Sequence, residues 1–173
     1  IKQFSAPAES IIEEYNYKLL RSSAIFNLVR RENESALILE RGQGSLQDAL
    51  DLGTAIKNPL NQIQLLLAYS KFIAAFKLVN IDVRPPNILF DDNGYIKMID
   101  LGGVTRVGFS AKYSAYPGYK KSTSHYEAFE AAMVYMVGLN AMMILTRRSY
   151  NEYFTNTVLY PTIYDVDVDI DYD

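Results

Sequence analysis

Residues 80–102 read NIDVRPPNILFDDNGYIKMIDLG, and this stretch decides the fold. Residues 88–90 are an apolar strand, residues 91–94 a turn, and residues 95–99 the returning strand, because Asn-Gly tolerates the positive φ that tight hairpins need. The hairpin fixes the spacing between Asp82 and Asn87 on one side and Asp100 on the other. Two carboxylates and an amide placed this way offer oxygen ligands for Mg²⁺ and leave one carboxylate to accept a proton.

This stretch resembles the catalytic core of protein kinases, where H-R-D-L-x-x-x-N precedes a hairpin and a D-F-G follows it. The corresponding residues here are 80–87, NIDVRPPN, and 100–102, DLG. The spacing from Asp82 to Asn87 and the apolar strand after Asn87 both match. Without the resemblance, Asp82 is a turn residue, Asn87 a cap and residues 100–102 a loop, but that alternative must explain several coincident spacings.

The resemblance implies phosphoryl transfer that uses ATP and Mg²⁺. Asp82 would orient and deprotonate the acceptor hydroxyl, and Arg84 would stabilise the γ-phosphate. Asn87 and Asp100 would bind the metal, and Leu89 would form the floor of the adenine site.

Near the start of the chain, Lys2 in the sequence IKQF matches the lysine at the end of the kinase V-A-I-K, which contacts the α- and β-phosphates. A glycine-rich phosphate loop is then expected upstream of residue 1. A helix predicted over residues 7–21 matches the αC helix of the family, whose glutamate pairs with the lysine. Glu9, Glu13 and Glu14 compete for that role, and Glu13 fits best.

Two apolar patterns in this helix predict which of its residues are buried. The spacing i, i+4, i+8 predicts one buried face, and the assignment of Glu13 places further apolar residues around it. The residues concerned are Ile11, Tyr15 and Leu19 for the face, and Ile11, Tyr17 and Leu20 around Glu13.

Residues 24–29 and 36–39 are predicted strands joined by a polar turn at residues 30–35. By resemblance they lead to the hinge between two lobes. Leu39 would lie at the back of the adenine pocket, while Glu40 and Gly42 would offer backbone groups to the adenine edge. Ser45 is then the predicted N-cap of a short helix, with an acidic residue three positions later.

Two long apolar segments, residues 59–78 and 125–145, are predicted to be buried helices. They match the αE and αF helices of the family, and Gly138 is expected to allow close packing. The apolar residues of the first are Leu60, Ile63, Leu66, Leu67, Phe72, Ile73, Phe76 and Leu78, and those of the second are Phe129, Met133, Met136, Val137, Leu139 and Met143.

Composition excludes several other classes of site. The chain has no cysteine and a single histidine, His125, which excludes thiolate metal sites and argues against a histidine-based zinc site or a Ser-His-Asp triad. A net charge of −3 without a long basic run argues against nucleic acid or a membrane surface as partner. Nearly half of the residues are apolar, which predicts a globular domain, expected to be monomeric.

The chain departs from the kinase pattern in places that bear on regulation. Asn80 and Ile81 replace the His and Arg of H-R-D, so activity controlled by phosphorylation of the following segment is not expected. The aspartate that kinases place five residues before the αF glycine is Met133 here. The catalytic loop must therefore be braced differently.

The predicted fold is α+β: a two-lobe protein kinase-like fold with truncated N-lobe strands and a reduced, mainly helical C-lobe that ends near αF. Residues 1–42 would be the partial N-lobe, residues 43–148 the C-lobe, and residues 149–173 a short tail with an acidic end. A short chain with a non-standard H-R-D resembles the minimal kinases that some pathogenic bacteria secrete into host cells. A cytoplasmic location, or secretion into a host cell as a virulence effector, is therefore expected.

The predicted function is ATP-dependent phosphorylation of a protein hydroxyl, on Ser or Thr rather than Tyr, with a host protein as a candidate substrate. Two alternatives stay open. One is a pseudokinase that acts as a binding module, and the other is a small-molecule phosphotransferase of the aminoglycoside or choline kinase type.

Overall fold

A computed structural model describes residues 1–108, 110–111, 126–127 and 130–149. Over these ranges the chain is a small mixed α+β protein, as the α+β prediction required. Its four α-helices there are α1 (Pro7–Leu19), α2 (Leu46–Asp51), α3 (Pro59–Ala75) and α4 (Glu130–Thr146). Its strands are β1 (Lys2–Gln3), β2 (Leu28–Asn33), β3 (Ala36–Leu39), β4 (Leu78–Asn80), β5 (Ile88–Phe90), β6 (Ile96–Met98), β7 (Val104–Arg106), β8 (Ser110–Ala111) and β9 (Tyr126–Glu127).

The strands form several small antiparallel sheets rather than one large sheet. β3 lies between β1 and β2, while β4 pairs with β7, β5 with β6, and β8 with β9. α1 packs on the three-stranded sheet and on the turn Leu101–Gly103, and α3 packs against α4, β4 and β6. The hairpin β5–β6 therefore lies beside α3, and its β5 strand also contacts α2.

The predicted buried face of α1 is wrong. Ile11, Tyr15 and Leu19 are exposed, and the buried residues on this helix include Ser10 and Glu13. Polar residues can occupy the face that is buried instead because each has a partner: the Ser10 hydroxyl, for example, contacts the carbonyl oxygens of Pro7 and Glu34. Tyr17 and Leu20 are buried as predicted. The helix ends at Leu19, not residue 21.

The first predicted strand of the next hairpin is displaced along the chain. β2 spans Leu28–Asn33 instead of residues 24–29, so the arginines assigned to a turn belong to a strand. The turn between β2 and β3 is shorter than predicted, and the Asn33 side chain stabilises it by accepting a hydrogen bond from the Ser35 N–H. Residues 24–26 instead bond to β6, with Met98 donating to Ala24 and Phe26 donating to Met98.

The β5–β6 hairpin has the predicted turn. Ile88 pairs with Met98 and Phe90 with Ile96. Gly94 has a φ of 81°, and the Asp91 side chain accepts hydrogen bonds from the N–H groups of Asn93 and Tyr95. Local side-chain chemistry thus closes the turn.

Both long helices are present, with corrected details. α3 ends at Ala75 because Lys77 adopts a positive φ of 56°, and Leu78 begins β4 instead. Leu66 and Ile73 are buried, whereas Leu60, Leu67 and Phe76 are exposed. α4 begins at Glu130, and Gly138 does not mediate close packing, since an added Cβ would meet nothing within 4 Å.

The core joins both halves of the chain. Its fully buried members include Leu20, Leu37 and Ile73 from the first half and Met98 and Met136 from the second. No helix in the described ranges is long and apolar enough to cross a membrane. His125 and Phe129 of the second predicted long helix and residues 150–173 of the tail lie outside the described residues.

Candidate active site

Lys2, Glu13 and Asp100 meet although they come from a strand, a helix and a turn. Lys2 Nζ lies 2.6 Å from Glu13 Oε2, 2.8 Å from Glu13 Oε1 and 2.6 Å from Asp100 Oδ1. β1 pairs with β3 so that Lys2 lies opposite Leu37. The Lys2 side chain contacts Glu13 on α1. One ammonium group therefore bridges two carboxylates.

Only one of the three competing glutamates reaches Lys2. Glu14 binds Lys18 and Arg31, and the Glu9 carboxylate contacts the Ser5 hydroxyl. Glu13 faces inward, with 2% of its side chain exposed. The contact between Lys2 and Glu13 that the resemblance implied is thus present in the structure.

Burial raises the pKa of Glu13, and the hydrogen bond and positive charge of Lys2 oppose that rise. The nearby Asp100 charge acts in the same direction as burial. Glu13 is consequently a carboxylate whose charged form depends on Lys2, which ties the position of the lysine to that of the helix.

α1 also fixes the turn that carries Asp100. The Asp100 N–H donates to the Tyr17 hydroxyl at 3.0 Å, and the Asn16 amide donates to the Leu101 carbonyl at 2.9 Å. Asp100 has a φ of 59°, and its Oδ1 accepts from the Gly102 N–H at 3.3 Å. A left-handed aspartate held by two helix side chains indicates a turn whose conformation is imposed by its surroundings.

Asp82 lies in a second polar group with Arg84 and Asn87. Its Oδ1 is 2.9 Å from Arg84 Nε, and its Oδ2 accepts from Asn87 Nδ2 at 2.8 Å. The same amide nitrogen donates to the Asp82 carbonyl at 3.0 Å. Burial raises the pKa of Asp82, while Arg84 and Asn87 partly offset the rise. The raised pKa means that this carboxylate takes up a proton more readily than an exposed aspartate does.

The residues predicted to bind metal offer oxygen donors but not a complete site. In the described part of the chain, no three His, Cys, Asp or Glu side chains are grouped to hold a metal ion. The Asn87 side chain donates two hydrogen bonds through Nδ2, and its Oδ1 has no hydrogen-bond partner among the described residues. Asp100 contacts Lys2 through Oδ1. This donor set fits Mg²⁺, which is commonly held by one or two side chains with phosphate and water oxygens completing its shell.

The predicted adenine-binding residues lie where β3 leaves the sheet. The Glu40 N–H donates to the Asn27 carbonyl, and the Glu40 carboxylate accepts from the Asn27 N–H. Within the described residues, neither the Glu40 carbonyl nor the Gly42 N–H has a backbone partner. These two groups are therefore available to form hydrogen bonds with a ligand. Leu39 is half-buried at the end of β3.

Gly42 packs directly on Leu89. A Cβ added at Gly42 would lie 2.7 Å from Leu89 Cδ2 and 2.9 Å from Leu89 Cβ. The peptide after the strand can approach β5 this closely only because residue 42 has no side chain. The two residues that the resemblance assigns to adenine are therefore neighbours in space.

Two cavities in the described part of the chain lie away from this polar centre. One, of about 410 Å³, lies between α2 and the β5–β6 turn and is lined by Ser45, Asp48 and Lys57 among others. The other, of about 370 Å³, lies between α1 and β2. Lys2, Asp82, Asn87 and Asp100 line neither of these two cavities.

Several site residues were not predicted from the sequence. Tyr17 and Asn16 hold the Asp100 turn, and Gly103 packs against Asp82, where an added Cβ would lie 2.7 Å from Asp82 Cβ. Asn140 reaches the same loop from α4 by donating to the Val83 carbonyl. A polar residue inside the apolar sequence of α4 was the available signal for Asn140.

Neither a protein-family model nor a curated protein sequence matches this chain. The structure shows a mixed α+β protein in which Lys2 contacts both the buried Glu13 and Asp100, and Asp82 lies in a separate polar group with Arg84 and Asn87.

Proposed function

We propose that the chain is a protein kinase-like phosphotransferase that moves the γ-phosphoryl group of ATP to a Ser or Thr hydroxyl of a protein. The observation that carries the proposal is the contact of Lys2 with both Glu13 and Asp100. These residues were selected from separate motifs of the kinase pattern, and a chance match of spacings does not require them to touch.

The proposed architecture is two-lobed, with ATP between the lobes. The three-stranded sheet and α1 would form the smaller lobe, and α2, α3 and α4 the larger one. In this arrangement the Glu40 carbonyl and the Gly42 N–H face the adenine edge, and Leu89 lies beneath the ring. The close packing of Gly42 on Leu89 supports this placement.

Asn87 and Asp100 would hold Mg²⁺, which when bound neutralises charge on the phosphate oxygens. Lys2 donates to the α- and β-phosphates while Glu13 keeps it in position. Arg84, half exposed beside Asp82, offsets charge on the γ-phosphate. The chain's own contribution is thus mainly charge and orientation, as phosphoryl transfer requires.

Asp82 accepts the proton of the acceptor hydroxyl. The hydroxyl oxygen forms a bond to the γ-phosphorus, the bond from that phosphorus to the β–γ bridging oxygen breaks, and ADP leaves with the electron pair. Burial of Asp82 and its raised pKa support this role, because a more basic carboxylate takes up the proton more readily.

The proposal is tested by transfer of labelled phosphate from ATP with Mg²⁺ to a mixture of proteins, using the protein at its natural full length. Asp82→Asn should lower the rate by about 100-fold or more, since a positioned base contributes roughly 10²–10⁴. Asp92→Asn is the matched control. Asp92 is an exposed acid at the hairpin turn that contacts Gln43.

Transfer that survives in the control and is lost in Asp82→Asn supports the kinase. Equal rates in both variants contradict the role of Asp82. ATP binding without any transfer to protein contradicts the proposed activity and favours a nucleotide-binding module. Transfer only to small alcohols would assign the chain to the small-molecule phosphotransferases.

A further inference from the structure

Four backbone groups of residues 81–83 are hydrogen-bonded, two to nearby asparagine side chains and two to residues distant in the chain. The Ile81 N–H donates to the Gly103 carbonyl at 3.1 Å, and the Asp82 N–H donates to Asn80 Oδ1 at 2.9 Å. The Asp82 carbonyl accepts from Asn87. The Val83 carbonyl accepts from Asn140 Nδ2 at 2.9 Å.

Two of these contacts come from buried side chains that α3 and α4 support. Asn80 is fully buried, and its Nδ2 donates to the Tyr69 hydroxyl on α3 at 2.7 Å. Asn140 is fully buried on α4, and its Nδ2 also donates to the Met136 carbonyl at 2.7 Å. Each asparagine therefore links a long helix to the loop that carries Asp82.

We propose that Tyr69, Asn80 and Asn140 form a clamp, here meaning these three side chains, that positions the Asp82 carboxylate for proton transfer. This inference rests on the proposed function. None of the three touches a substrate atom in this proposal, so they are positioning residues. Asn80 is itself one of the positions at which the chain departs from the kinase pattern.

The geometry explains how the clamp acts on a side chain that it does not contact. Asn80 fixes the N–H at the start of residue 82, and Asn140 fixes the carbonyl at the end of residue 83. With both ends held, rotation of the peptide units around Asp82 is restricted, and so is the direction of its Cα–Cβ bond. Buried polar groups give such restraint because leaving one unpaired is costly.

Orientation of this kind affects turnover more than nucleotide binding. A misplacement of about 1 Å in a catalytic group can lower a rate by about 10²-fold. Lys2, Glu13 and Asp100 receive no hydrogen bond from the clamp. Loosening the clamp should therefore lower kcat and leave the KM for ATP nearly unchanged.

The test uses Tyr69→Phe and Asn140→Leu in the full-length protein. The first removes only a hydroxyl, and the second replaces the amide by an apolar group of similar size. We expect kcat to fall by about 10- to 100-fold, with the KM for ATP within about twofold. Amide hydrogen exchange of residues 81–84 should become faster in both variants.

Gln62→Leu is the matched control. Gln62 is a buried amide on α3 that donates to the Lys57 and Gly94 carbonyls and accepts from the Ile96 N–H, at the far end of the hairpin. This variant should lose thermal stability to a similar degree. It should keep both the exchange rate at residues 81–84 and kcat.

Exchange at residues 81–84 that matches the control overturns the clamp, whether or not the protein transfers phosphate. Faster exchange with unchanged kcat in an active enzyme overturns its positioning role. A wild-type protein that transfers no phosphate contradicts the proposed function instead. The exchange rates at residues 81–84 then still test whether the clamp restrains the loop.

Discussion

The Nζ atom of Lys2 lies 2.6 Å from Oε2 of Glu13, a carboxylate with almost no exposure to water. The lysine retains about a quarter of its side-chain exposure, so its positive charge is only partly desolvated. The glutamate depends on the lysine more than the lysine depends on the glutamate, because an unpaired buried charge is the costlier of the two.

Replacing Lys2 should therefore destabilise the protein through Glu13. We expect Lys2→Met to lower the free energy of unfolding by about 1–3 kcal/mol, the range for leaving a buried polar group unpaired. Much of that loss should be recovered in the double variant Lys2→Met/Glu13→Gln. Urea unfolding measures both.

Lys18→Met is the control variant for Lys2→Met. It removes the exposed partner of Glu14 and should cost less than about 1 kcal/mol. Equal losses for both lysines, or simple additivity in the double variant, would show that Glu13 does not need Lys2.

Gly103 should not tolerate a side chain. An added Cβ would lie 2.7 Å from Asp82 Cβ and 2.9 Å from Asn80 Oδ1, both in well-packed surroundings. We expect Gly103→Ala to destabilise the protein by about 1–3 kcal/mol, as overpacking commonly does. Thermal unfolding followed by circular dichroism measures the change.

The matched substitution is Gly138→Ala, where an added Cβ meets nothing within 4 Å in the middle of α4. It should be neutral or stabilise by up to about 1 kcal/mol, since Ala exceeds Gly in helix propensity. A loss of stability in Gly138→Ala as large as that in Gly103→Ala would contradict the conclusion that only Gly103 lacks room for a Cβ.

The contact between Gly42 and Leu89 gives a test of coupling. Gly42→Ala should cost about 1–3 kcal/mol because the new methyl group meets Leu89 Cβ as well as the end of that side chain. In Gly42→Ala/Leu89→Ala the clash is removed, so the total should be smaller than the sum of the single losses. If the proposed function holds, Gly42→Ala should also weaken ATP binding, measured by calorimetry.

The ion pairs of Glu14 should make stability depend on pH. The hydrogen bonds from Lys18 and Arg31 hold the pKa of Glu14 below its ordinary value of 4.5. Because the folded-state pKa is the lower one, the stabilisation is present above the unfolded-state pKa and is lost as the pH falls through the folded-state pKa.

Between about pH 6 and pH 3, the free energy of unfolding of the wild type should fall further than that of Glu14→Gln, by up to about 1 kcal/mol. Glu9→Gln on the same helix should follow the wild type, since Glu9 has only a 3.5 Å contact with the Ser5 hydroxyl. Parallel curves for wild type and Glu14→Gln would contradict the prediction.

The features that the sequence determined by itself are those set by neighbouring residues. The hairpin turn at Asp91–Gly94 and the cap of α2 at Ser45 both form as predicted, the latter with Asp48 as its reciprocal partner. In each case the partners lie within four residues, so the local pattern contains nearly all of the relevant energetics. The two long apolar helices were predictable for a similar reason, apart from their ends.

Tertiary structure alone decided which polar side chains are buried and what they hold. Ser10 bonds across 24 residues, Asn140 across 57 and Asn16 across 85. Apolar periodicity placed Ile11 and Tyr15 inside because it assumes that buried residues are apolar, whereas here distant carbonyls satisfy polar ones. The Lys2–Glu13 contact was expected only from a resemblance, and the Lys2–Asp100 contact was not predicted, because burial and partners that far apart in the chain exist only after folding.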